Sequence, residues 1–97
     1  MMALVGIPQR FPLGQVVITP GAMAALEAAC QMPSTFLSRH AQGDWGDLCE
    51  ADRQENALAL REGFRLFSSY AMGNGQKLWI ITEADRSVTT LLLPLEY

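Results

Sequence analysis

The chain has 97 residues, 49% hydrophobic and 18% charged, with a formal net charge of −3 and a pI of about 4.9. That length predicts one domain, 1–97, with a small core, and the composition excludes a disordered chain. No apolar run reaches the ~20 residues of a membrane span, and the seven basic residues are scattered where phosphate binding wants a basic stripe.

The expectation is therefore no membrane and no direct nucleic acid. The start, MMALVGIPQRFP, lacks the basic segment and long apolar run of a signal peptide, which predicts a cytoplasmic location. Residues 1–13 hold Gly6, Pro8 and Pro12 and read as an irregular N-terminal arm. The β-branched run QVVIT, Gln15 to Thr19, predicts a short strand.

In TPGAMAALEAACQ, Thr19 suits a helix cap and Pro20 the first helical position, where a missing N–H costs nothing. Met23, Leu26 and Cys30 recur at helical spacing and predict its buried stripe. Met32-Pro33 predicts its end, because a residue before proline avoids the α region. Ser34 offers a cap for a second short helix, TFLSRHAQ, closed by Gly43. Phe36 and Leu37 face inward in it, and His40 lies one turn on from both.

A third helix is predicted over DLCEADRQENALALREG. Asp47 and Glu50 have the spacing of a capping box, and Gly63 suits the left-handed position that closes a helix. Leu48, Ala51, Leu58 and Cys49 supply its expected buried stripe. FRLFSSYAM, KLWIITE and VTTLLLP then read as three strands. Asn74-Gly75 predicts a type I′ turn between the first two, and Asp85-Arg86 marks the second hairpin. The fold expected is α+β, a small two-layer sandwich of order β-α-α-α-β-β-β, with an antiparallel C-terminal meander packed on helices.

The segment HAQGDWGD holds the only histidine, two aspartates and a tryptophan. Each residue has a local task there: Gly43 and Gly46 allow positive φ, Asp44 suits an Asx-turn, Asp47 a cap, and Trp45 pins the loop to the core. A sharper reading groups His40, Asp44 and Asp47 as metal ligands or an acid–base pair, histidine titrating nearest neutrality and the aspartates able to orient it or bind a hard cation. Their spacing fits no metal motif, so neither metal nor cofactor is expected. Cys30 and Cys49 sit in apolar contexts and read as buried reduced thiols. Glu83, Asp85 and Arg86 form a polar hairpin tip.

Over about Leu13 to Tyr97, the segments VVITPGA, RHAQGDWGD, ITEADRSVTT and LLLPLEY resemble small uncharacterised "plasmid-related" proteins of bacterial plasmids, phages and integrative elements. The resemblance implies an accessory gene of a mobile element and no particular chemistry. With it, the sequence points to a protein-binding module that contacts a host defence complex such as a restriction or CRISPR system. Asp44, Trp45, Asp47, Glu50, Asp52, Glu55, Glu83, Asp85 and Arg86 would form its surface. The alternatives are a small hydrolase or toxin-like nuclease on His40, Asp44 and Asp47, and a homodimer joined by an edge strand or an apolar helix surface.

Overall fold

A computed structural model of the chain describes residues 9–97, so part of the predicted arm, residues 1–8, lies outside the described residues. The element order is the one expected: β1 (Gln15–Ile18), α1 (Pro20–Ala28), α2 (Pro33–Ala41), α3 (Glu50–Glu62), β2 (Leu66–Ala71), β3 (Lys77–Thr82) and β4 (Val88–Leu92), closed by a 3-10 turn, Pro94–Glu96. The strands lie in the order β1-β4-β3-β2. The meander β2–β3–β4 is antiparallel, and β1 joins β4 in parallel.

Strand alternation sorts the sheet into two faces. Leu66, Ser68, Tyr70, Leu78, Ile80, Thr82, Thr89 and Leu91 are all fully or almost fully buried and alternate along their strands. The larger core cluster packs Ala22, Ala25 and Leu26 of α1 and Phe36 of α2 on Tyr70, Leu78, Ile80 and Leu91. A second cluster joins Phe11, Trp45 and Leu48 to Ala59 of α3 and Leu66 of β2. Val17, Phe67, Trp79, Ile81, Thr90 and Leu92 point to the opposite, outer face.

Several local expectations are corrected. The β2–β3 turn is not type I′: only Gly75 has positive φ (85°), and the Gly75 amide bonds the Met72 carbonyl (3.1 Å). It is a three-residue Gly73-Asn74-Gly75 loop with its glycine in the left-handed position, the next commonest hairpin closure. The α1 helix stops at Ala28, before Met32-Pro33, because Cys30 adopts φ 55°. Its inward stripe is Ala22, Ala25 and Leu26, while Met23 is exposed. Cys30 and Cys49 are both exposed free thiols.

The cap residues also differ. Met32, not Ser34, is the N-cap of α2, and Cys49, not Asp47, is the N-cap of α3; neither makes a side-chain cap bond. Asp47 instead lies 3.4 Å from the Lys77 ammonium. Ala51 and Cys49 are exposed, and α3 turns Asn56 and Ala59 inward.

Asn56 explains that register. Its amide nitrogen donates to the Phe67 carbonyl (2.6 Å) and its amide oxygen accepts from the Phe67 N–H (3.1 Å). One side chain thus substitutes for a neighbouring strand along the β2 edge. Two residues on, the Ser69 N–H donates to the Trp45 carbonyl (3.1 Å) and the Asp47 N–H donates to the Ser69 carbonyl (2.7 Å). Gly46 sits between them at φ 76°, so close that a Cβ would collide with the Ser69 carbonyl. Exposed strand edges are templates for unwanted pairing, and this one is covered.

Asn56→Ala leaves the Phe67 amide and carbonyl without partners at a largely buried position, a loss of about 2 kcal/mol. Urea unfolding of the variant against the parent measures it. An unchanged midpoint and slope would show that water substitutes fully for the side chain.

Candidate functional site

The polar centre of the molecule is built from residues far apart in sequence. Phe36, one turn before His40 on α2, anchors the helix in the larger cluster, which directs the imidazole down onto the sheet. There Nδ1 lies 2.5 Å from Ser68 Oγ of β2, and Nε2 lies 2.9 Å from Thr82 Oγ1 of β3. Thr82 Oγ1 is 2.7 Å from Thr89 Oγ1 of β4, and Thr89 Oγ1 donates to the Leu13 carbonyl (2.7 Å). His40, Ser68, Thr82 and Thr89 are each 0% exposed.

The terminal acceptor fixes the direction of every bond. A carbonyl has no proton, so the Thr89 hydroxyl donates to Leu13 and must accept from Thr82. Thr82 has then spent its proton and accepts from His40 Nε2–H. The remaining nitrogen, Nδ1, is unprotonated and accepts from the Ser68 hydroxyl. The ring is therefore the neutral Nε2–H tautomer. Burial, and secondly the positive charge of Arg86, push its pKa down from 6.5 to about 3.

A histidine 2.5 Å from a serine hydroxyl has the spacing of a base and its nucleophile. Here neither group has any solvent-accessible surface, and both ring nitrogens are engaged. What the arrangement does chemically is satisfy buried polar atoms: among the described residues none of the buried side-chain nitrogens or oxygens lacks a partner. The aromatic rings of Phe11 (5.2 Å) and Trp45 (5.6 Å) meet the imidazole nearly at right angles and shield it further.

The structure does not gather the three residues of the proposed acid–base set. Asp44 is exposed and bound to Arg39 (2.7 Å), which holds its carboxyl below the usual range, and its other oxygen accepts from the Gly46 N–H (3.2 Å) in the expected Asx-turn. Asp47 faces Lys77. Neither carboxylate bonds the imidazole. Among the described residues, no three histidine, cysteine or acidic side chains stand close enough to hold a metal ion.

The predicted surface is likewise divided. Glu50, Asp52 and Glu55 remain exposed on α3, and Glu83 and Asp85 are exposed at the hairpin tip. Trp45 is only 7% exposed, so it belongs to the core. Arg86 turns inward: its guanidinium donates to the carbonyls of Phe64 (2.6 Å), Ala59 (3.0 Å), Glu83 (3.2 Å) and Ala84 (3.2 Å). It is a strut between α3 and the β3–β4 turn.

Sequence reasoning missed a second locality, on the outer sheet face. Arg65, Phe67, Trp79, Ile81 and Tyr97 line a concavity of about 210 Å³. Phe67 and Tyr97 both meet the Trp79 ring edge to face, at 5.0 and 5.8 Å. The Arg65 guanidinium stands over the Tyr97 ring (5.7 Å) and donates to its hydroxyl (2.8 Å), with no carboxylate partner among the described residues. The signal was in the alternation: once Leu66, Ser68 and Tyr70 face the helices, Phe67 and its cross-strand neighbours must face away. In comparisons with known proteins, the chain matches no family model, no curated protein and no solved structure.

Two outcomes follow from the buried imidazole. The unfolded chain binds a proton near pH 6.5 and the folded one only near pH 3, so the fold loses about 1.4 kcal/mol of stability per pH unit as pH falls through that window. Chemical denaturation at a series of pH values, with His40→Gln as control, isolates this contribution. Two-bond nitrogen–proton NMR should find Nε2 protonated and Nδ1 bare at pH 5, where an ordinary histidine is cationic. Truncation of Trp45 to alanine, beside the same ring, costs roughly 3 kcal/mol or more, as for other buried large aromatics; a thermal melt matching the parent would contradict its place in the core.

Proposed function

We propose that the chain is a protein-binding module acting by contact, with the outer face of the sheet as its docking surface. The observation that carries this reading is the concavity of Phe67, Trp79, Ile81 and Tyr97, with Arg65, which has no carboxylate partner among the described residues, at its rim. Aromatic residues and arginine dominate the energetics of protein interfaces, because they bury much area and keep a polar handle. A cation beside an apolar hollow is complementary to an apolar side chain flanked by a carboxylate. The occupant proposed is such a segment of a partner protein. The resemblance to plasmid-related proteins of mobile elements supports a host defence complex, such as a restriction or CRISPR system, as the source of that partner.

The exposed acids of α3 support an extension of the contact. Glu50 and Asp52 lie in its first turn, where the helix dipole favours negative charge, and Glu55 follows. With Asp44 and Asp47 already matched to Arg39 and Lys77, the acidic contribution is narrower than the sequence suggests.

Affinity capture from a host lysate, read by mass spectrometry, tests the surface when run in parallel with Trp79→Ala and with the triple change Glu50→Lys, Asp52→Lys, Glu55→Lys. The parent is expected to retain a partner that Trp79→Ala loses by tenfold or more in recovered amount, about 1.4 kcal/mol or above, with its melting curve still cooperative. A partner lost only in the triple variant would move the contact to α3. A partner retained by both would refute the docking surface.

A further inference from the structure

The two edges of the sheet are treated in opposite ways. The β2 edge is closed by the Asn56 side chain and by the backbone of Trp45 and Asp47. The β1 edge is not closed by any described residue. In the parallel ladder, the Gln15 N–H bonds the Ser87 carbonyl (2.9 Å) and the Thr19 N–H bonds the Leu91 carbonyl (3.0 Å). Alternation then directs the peptide groups of Gln15, Val17 and Thr19 to β4, and those of Val16 and Ile18 outward. Among the described residues nothing bonds the outward amides or carbonyls.

This edge is short, but it lacks charge and proline, two of the devices that keep strand edges single. Val16 and Val17 are 39% and 38% exposed. What satisfies such an edge is another strand. We propose that β1 pairs antiparallel with β1 of a second copy of this chain, about a two-fold axis at Val17, joining two four-stranded sheets into one of eight strands.

That register follows from the ladder. With the axis at Val17, Val16 faces Ile18 of the second copy in a hydrogen-bonded pair, and Ile18 faces its Val16 likewise. All outward groups of both residues are then used, giving four interchain hydrogen bonds. Val17 meets Val17 of the second copy in the closer, non-bonded position, and two exposed valines are covered at once. An uncharged edge meets its own copy without repulsion. Because the β2 edge is closed, assembly stops at two: the pairing is isologous and cannot extend into a fibre. The inference is independent of the docking surface on the outer face.

Sedimentation equilibrium of the full chain should give a concentration-dependent mass rising to twice the 10.7 kDa of one chain. Val16→Pro removes an outward N–H and leaves the amides that pair with β4 intact. It deletes two of the four interchain bonds and should raise the dimer dissociation constant roughly thirtyfold. The register is tested in a background carrying Cys30→Ser and Cys49→Ser. There Val17→Cys should oxidise readily to a covalent dimer, and Val16→Cys should link at least tenfold more slowly, by the difference in Cα separation. The crosslinking pair does not rely on the proline variant folding. A monomer at every concentration, a dimer unaffected by Val16→Pro with its fold intact, or faster linking at residue 16 would each overturn the proposal.

Discussion

The molecule is organised around one constraint: a histidine has been buried completely, so every proton on and around it must be assigned. Its two nitrogens bond β2 and β3, the bonds continue to β4, and the last proton ends on the Leu13 carbonyl of the incoming arm. One helix, three strands and the N-terminal segment are thereby tied by a single sequence of donors and acceptors. An unpaired member would cost the desolvation of a buried polar group, so the arrangement rewards only the complete set. Ser68, between Leu66 of one apolar cluster and Tyr70 of the other, marks where this polar seam crosses the core.

The charged and aromatic groups divide along the same architecture. The helical side of the sheet is occupied by the core, and the polar atoms there are internally matched. Two of the cations are enlisted for shape: Arg86 gathers four carbonyls, and Arg39 holds Asp44 while lying 4.6 Å from the Tyr70 ring centre. Arg65 differs, since among the described residues its guanidinium donates to a neutral hydroxyl and to no carboxylate. Candidate chemistry therefore sits on the outer face rather than in the loop that holds the histidine.

Much of the fold was legible in the sequence because it depends on local rules. Thr19 does cap α1, accepting from the Ala22 N–H (3.2 Å), and Gly63 closes α3 at φ 83°. The meander followed from turns between apolar runs. The inward position of His40 could be read from Phe36, but its partners Ser68 and Thr82, 28 and 42 residues away, could not. The same limit hid Asn56, whose amide looks like a polar surface residue until a strand edge is placed beside it. The cysteines misled for a local reason: one stands in a left-handed turn and one at a helix cap, both outside the stripe that helical spacing assigns. The aromatic concavity needed the register of β2 against β3 and the return of Tyr97, which no window of sequence contains.

The Arg86 strut has a consequence for how the chain can acquire this structure. Arg86 holds φ 62° in the turn, and its side chain bonds the Ala59 carbonyl, which the Gly63 and Phe64 amides also use to close α3. The glycine closure is local and can form as soon as the helix does. The guanidinium comes from 27 residues downstream, across β2, β3 and their turn. Closing a loop of that length is entropically costly before its contacts repay it. The last turn of α3 and the β3–β4 turn thus gain their final stability in the same step, as one cooperative unit. A helix end and a hairpin remote from it in sequence should accordingly open together, protecting their amides from solvent exchange to a common degree.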